Sequence, residues 1–98
     1  MAGDAVTVAP HVYKVMLEND RVRVLEARAK PGDKTALHSH PAQVAIALTD
    51  CHLRFTSPDG QTTEAELKAG QAIYQNPMEH TTEVTGTTEA HVTLVELK

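Results

Sequence analysis

Apolar and polar residues alternate with a period near two over most of the chain, and Gly, Pro, Asn and Asp cut the alternation into short runs. Successive side chains of an extended strand point to opposite faces, so this pattern predicts strands with one buried face. Residues 11–18 are rich in β-formers, Asn19-Asp20 is a turn signal, and residues 21–30 alternate again, which predicts a hairpin. Lys30-Pro31-Gly32-Asp33 supplies the next turn, residues 35–40 a short strand, and residues 43–49 an apolar run short enough to be a buried strand. Residues 52–57 and 61–68 flank Pro58-Asp59-Gly60 and predict a second hairpin. Ala69-Gly70 turns the chain into residues 71–75, which Asn76-Pro77 stops. Residues 80–85, a turn at Gly86, and residues 89–97 with Ala90, Val92 and Leu94 in phase complete the pattern.

No stretch carries a convincing helical period. About nine short strands at ~8 to 12 residue spacing predict an all-β sandwich or barrel in which closure removes exposed edges. The barrel domain occupies residues 11–98, and residues 1–10 read as a loose tail or as an edge strand swapped onto a neighbour.

Composition sharpens this picture at a few points. Ninety-eight residues suit one domain with a modest core, and with only Tyr13, Phe55 and Tyr74 as aromatics that core must be mostly aliphatic. A net charge of −4, with no Lys/Arg cluster able to neutralise a run of phosphates, argues against a nucleic-acid partner. No apolar run approaches the ~20 residues of a membrane span, and the first residues lack the basic start and apolar stretch of a signal peptide. The expectation is a soluble, cytoplasmic protein with no membrane partner. Cys51 is the only cysteine, so no internal disulfide forms, and it reads as a small half-buried hydrophobe.

Candidate chemistry centres on His38-Ser39-His40. Two histidines two positions apart on a strand project from one face, where one metal ion binds both, while Ser39 points to the other face. His80, about 40 residues later and just past the Pro77 turn, is the leading third ligand, brought back by a returning strand. Gln43, where the chain re-enters after Pro41, is the fourth candidate. His11, His52 and His91 read as surface or hydrogen-bonded residues. Arg23, Arg28 and Arg54 are in phase to supply an inward cation for a carboxylate, although a solvated strand face fits them as well. Met78 and Glu79 read as a turn beside His80 that gates a mouth, and Glu64, Glu66 and Glu83 as solvent-facing. There is no Gly-rich phosphate loop, no Cys-x-x-Cys and no Walker-like lysine.

At these residues the chain resembles the cupin superfamily of small conserved β-barrels. Gly32, five intervening residues and His38-Ser39-His40 match the start of the first cupin motif without a gap. The motif then departs: the spacer shortens to Pro41-Ala42, Gln43 stands where the family places Glu, and Asp50 replaces the closing glycine. Of the second motif, Gly70 and His80 match, the Asn76-Pro77-Met78-Glu79 turn is one residue short, and Val84 stands for the asparagine.

The resemblance implies a single conserved barrel of the cupin or jelly-roll type and one divalent transition metal per chain (Fe, Mn, Ni, Zn or Cu) on His38, His40 and His80. Gln43 would ligate the metal or orient a bound water. Three neutral imidazoles suit such metals and leave positions open, and replacing Glu by Gln removes a negative charge, which favours an anionic exogenous ligand. Some cupins similar to cysteine dioxygenase likewise use three His for ferrous iron. Tyr74, on the strand before His80, is expected either to line the pocket or to be a plain core aromatic. The implied activity is that of a metal-dependent dioxygenase or isomerase on a small carboxylate or sugar-derived molecule; the alternative is a non-catalytic metal or small-ligand binding module. A homodimer is expected, because a small barrel with few aromatics gains from burying an outer sheet face against a twin.

Overall fold

A computed structural model describes residues 3–98. Along the chain come α1 (Ala5–Val8), β1 (Tyr13–Glu18), β2 (Val22–Ala29), β3 (His38–His40), β4 (Gln43–Ala47), β5 (Cys51–Thr56), β6 (Thr62–Leu67), β7 (Ala72–Gln75), β8 (Met78–Val84) and β9 (Ala90–Leu97). They form a five-stranded sheet in the order β1-β2-β9-β4-β7 and a four-stranded sheet in the order β3-β8-β5-β6. Every strand pairing is antiparallel. This is the all-β barrel that the alternation predicts, in the jelly-roll form that the resemblance implies.

Local chemistry sets the turns. The Asn19 side-chain oxygen accepts from the backbone N–H groups of Arg21 (2.8 Å) and Val22 (2.9 Å), closing the β1–β2 hairpin in the way asparagine favours. Gly32, just ahead of the histidine strand, has φ +86°, a conformation that a side chain at that position would strain.

The inward face is aliphatic, with Leu25, Leu53, Leu67, Val84, Val92 and Leu94 all buried. Cys51 is fully buried among them rather than half-buried, since it opens β5 in the inward phase. Inward phase also buries polar residues: Gln43 on β4, Glu96 on β9, and His38, His40 and His80. Those polar residues mark the site.

The N-terminal segment packs against its own chain, with residues 5–8 in a helical turn. Asp4 caps α1 by accepting from the Val6 N–H (3.1 Å), Ala5 and Ala9 are fully buried, and Ser39 donates its N–H to the Gly3 carbonyl (2.8 Å). Its small side chains let it lie flat on its own barrel beside β3. Met1 and Ala2, the rest of the expected tail, lie outside the described residues.

The outer face of the larger sheet carries an apolar row. Leu17 pairs with Val24, Val24 with Val95, Val95 with Val44, and Val44 with Tyr74, so the row crosses all five strands. The β1 register shifts between Val15 and Leu17, which turns Leu17 onto this face. No helix among the described residues is long and apolar enough to cross a membrane.

Candidate metal centre

Strands β3 and β8 assemble the histidines. His38 is the cross-strand partner of His80, and His40 lies two residues along on the same face of β3. Ring centroids are 4.9 Å apart for His38–His40 and His38–His80, and 5.3 Å for His40–His80. One ring nitrogen from each comes within 4.8 Å of the others. With exposures of 0, 4 and 6%, the three rings are shut off from bulk water.

Hydrogen bonds set their tautomers. His38 Nδ1 lies 2.8 Å from the Ala36 carbonyl, which only accepts, so Nδ1 carries the proton and Nε2 keeps its lone pair. The Tyr13 hydroxyl donates to that Nε2 at 3.2 Å. His40 Nδ1 donates to Glu96 Oε2 at 3.3 Å, which leaves its Nε2 as the free acceptor. His80 stacks on Phe55 with centroids 4.7 Å apart, and its buried Nε2 has no hydrogen-bond partner among the described residues. Burial, and then the neighbouring His40 and His38, depress the His80 pKa to about 3; burial likewise lowers His38.

A divalent metal fits these residues. Such an ion needs neutral imidazoles with lone pairs turned inward, each oriented by a bond at the other ring nitrogen. His38 and His40 are each oriented by such a bond at Nδ1, and an ion at His38 Nε2 would displace the Tyr13 hydroxyl. His80 contributes a buried nitrogen whose isolation is costly until a ligand engages it.

Sequence reasoning missed three contributors, Glu96, Tyr13 and Asp4, and gave a fourth, Arg23, a different role. Glu96 is 2% exposed and binds both His40 and Arg23; the signal was its place in the inward phase after Ala90, Val92 and Leu94. Burial drives its carboxyl upward, but the His40 and Arg23 bonds outweigh this and hold it below its ordinary value. Tyr13 opens β1 facing inward, and burial pushes its hydroxyl up to about 12, so it acts as a neutral donor. Arg23 faces the barrel, but as a partner of Asp4 and Glu96 rather than as a cation open to a substrate carboxylate. Asp4, in the expected tail, gave no such signal.

The remaining candidates fall as follows. Gln43 is 1% exposed; its Nε2 donates to Gln75 Oε1 at 2.8 Å while its own Oε1 is buried without a partner. Tyr74 does not line the pocket: at 61% exposure it sits in the outward phase of β7, and its neighbours Ile73 and Gln75 take the inward places. Arg28 pairs with Glu26 and Glu89 and also contributes to the wall of the cavity that His40 and His80 line, whereas Arg54 pairs with Glu64 and Glu83 at the surface. Met78 and Glu79 form no gating turn, because both are already paired in β8, opposite His40 and Ser39. His52 and His91 face carboxylates of Glu66 and Glu26, and His11 is exposed.

Behind the histidines lies a cavity of about 60 Å³. His40, Gln43 and His80 form part of its wall, and the rest is mainly aliphatic, including Leu53, Ile73 and Leu94. This volume exceeds the ~10 to 15 Å³ needed to admit a water.

No family model matches the chain, and none of the curated proteins does. Solved structures do. A cupin domain from Bordetella pertussis superposes with a TM-score of 0.80 at 28% identity, over 89% of this chain and 92% of that one. An uncharacterised conserved protein with a double-stranded β-helix domain from Klebsiella pneumoniae gives 0.66 at 24% identity, over 88% and 76%. A cupin 2 conserved barrel domain protein from Salinispora arenicola gives 0.64 at 15% identity, over 88% and 74%. The last two share the fold.

Proposed function

The chain is a small protein of the cupin superfamily, and we propose that it is a metal-dependent enzyme, oxygenating or isomerising, with one divalent transition metal held by His38, His40 and His80. The observation that carries this reading is the convergence of three buried imidazoles, two with a tautomer fixed for ligation and the third with an orphaned Nε2. Imidazoles alone do not choose among Fe, Mn, Ni, Zn and Cu. When bound, the metal supplies Lewis-acid polarisation of a ligand oxygen.

The protein's own groups do the rest. Gln43, on the same cavity wall, is the fourth ligand or orients a water, and its bond to Gln75 holds its amide in place. Tyr13 presents a neutral hydroxyl beside His38. The cavity favours a small carboxylate over a sugar: its size admits few non-hydrogen atoms, and its aliphatic wall would leave sugar hydroxyls unpaired, at a cost of roughly 1 to 3 kcal/mol each. The donor set contains no anionic ligand, so the open positions of the metal favour an anionic head group, the Glu96 carboxylate acting only from behind His40.

A second reading, a non-catalytic metal or small-ligand binding module, is favoured by one observation. Among the described residues the cavity wall includes no carboxylate to serve as a general base.

Metal analysis of untagged protein, followed by oxygen-uptake and isomerase screens on short organic acids and sugars, separates the two readings. The enzyme reading expects stoichiometric metal and a turnover that His38→Ala abolishes along with the metal. Metal without turnover across the panel selects the binding module. If no metal is found and the melting temperature does not respond to Zn, Mn, Fe or Ni, both fail, because a ligand of the native state must stabilise it.

The reading also includes a second copy of this chain, packed on the apolar row from Leu17 to Tyr74. A face with no charge along its central row is self-complementary about a two-fold axis.

A further inference from the structure

Gln43 and Glu96 are cross-strand partners on β4 and β9, both directed inward and both essentially inaccessible. The neutral amide therefore sits beside a buried carboxylate that reaches His40 from behind. Glu96 Oε2 accepts from His40 Nδ1, and Glu96 Oε1 accepts from Arg23 Nε at 2.7 Å. The two terminal nitrogens of Arg23 grip both oxygens of Asp4. Two carboxylates and one guanidinium leave one negative charge on this chain of contacts.

The chain ends in the N-terminal segment. Asp4 caps α1, and Gly3 binds the backbone of Ser39, the residue between the two β3 histidines. Residues 3–9 are thus tied to the histidine strand directly, and to His40 through Arg23 and Glu96.

We propose that Glu96, clamped by Arg23 and Asp4, is a positioning residue for His40 that supplies from the neighbouring strand the negative charge Gln43 lacks, and that metal affinity is thereby coupled to docking of residues 3–9. This rests on the metal site proposed above. A carboxylate behind a ligating imidazole fixes its orientation and raises its basicity, and loss of such a partner typically costs ~10 to 100-fold in metal affinity. Coupling is reciprocal: whatever factor docking adds to metal affinity, metal adds to docking.

The test titrates Zn²⁺ into the full-length protein and into two variants, by calorimetry and, with Co²⁺, by visible absorption. Glu96→Gln keeps the shape and removes the charge, and is expected to weaken Zn²⁺ binding by about 10 to 100-fold and to change the Co²⁺ spectrum. Asp4→Asn retains a good helix cap and lies at the surface end of the clamp; it is expected to weaken binding by a smaller factor, and it decides the matter if Glu96→Gln does not fold. Amide exchange at residues 5–9 is expected to slow on adding Zn²⁺ to the wild type and to respond less in the variants. Equal Zn²⁺ affinity in wild type and folded variants, or exchange at residues 5–9 indifferent to Zn²⁺, overturns this inference and leaves the metal site standing. A wild type that binds no Zn²⁺ or Co²⁺ overturns both.

Discussion

His80 is the most constrained residue of the centre. Its ring lies flat on Phe55 and within 5.3 Å of the other two imidazole rings, and its pKa is lowered to about 3 from an ordinary 6.5. Between those values the unfolded chain binds a proton that the folded chain refuses, so folding stability is complete above about pH 6.5 and is lost progressively as pH falls toward 3. Glu96, held below its ordinary value, acts in the same direction at the acid end of that window. Metal-free protein is therefore expected to lose on the order of a few kcal/mol between pH 7 and 4, read as a falling denaturation midpoint in urea. Replacing His80 by Gln should flatten the upper part of the curve. A midpoint in the wild type that stays level over this range would show that the rings are more hydrated than their burial implies.

At the scale of elements, the strands were the legible part and the helical turn was not. Alternation is a period-two signal that accumulates over six to eight residues, and β9 displays it in full. Four residues of α1 complete barely one turn of a 3.6-residue period, so only the Asp4 cap marked it, and a lone Asp before small residues is equally at home in a turn or a loop. The same logic divides the site. His38 and His40 announce themselves by spacing, and His80 by its motif position, whereas Glu96 looked like one more polar residue near a chain end because its partners, His40 and Arg23, are 56 and 73 residues away. Tyr74 failed for the converse reason: the resemblance suggested a role, but the phase of β7 determined its direction. The docked segment carries its own prediction. Ala5 has no exposed surface, so Ala5→Leu overfills the space beneath α1 and is expected to cost about 1 to 3 kcal/mol. Limited proteolysis should then cut residues 3–9 in the variant well before the wild type; equal resistance would mean that the segment does not bear on the barrel.

At the scale of the whole molecule, the unusual surface is the outer face of the larger sheet. Isolated apolar residues on a protein surface are ordinary, but Leu17, Val24, Val95, Val44 and Tyr74 form one uninterrupted row, with Leu97 also exposed at the end of β9. Leu17 is 51% and Tyr74 61% exposed, so the ends of the row have the most surface to bury. Two such faces stacked about a two-fold axis cover each other in the manner of packed sheets, roughly 10 Å apart, and a stable interface of this kind removes about 800 Å² from each partner. Sedimentation velocity is expected to show a dimer in the micromolar range. Val95 stands at the middle of the row on the central strand β9, with its side chain outward, so Val95→Glu places a charge where two faces meet while leaving the barrel interior alone. Burying that carboxylate without a partner costs several kcal/mol, enough to shift the dimer to monomer by about a hundredfold or more in Kd, with the monomer's own melting transition preserved. A wild type that sediments as a monomer at tens of micromolar would rule out this face as a self-association surface.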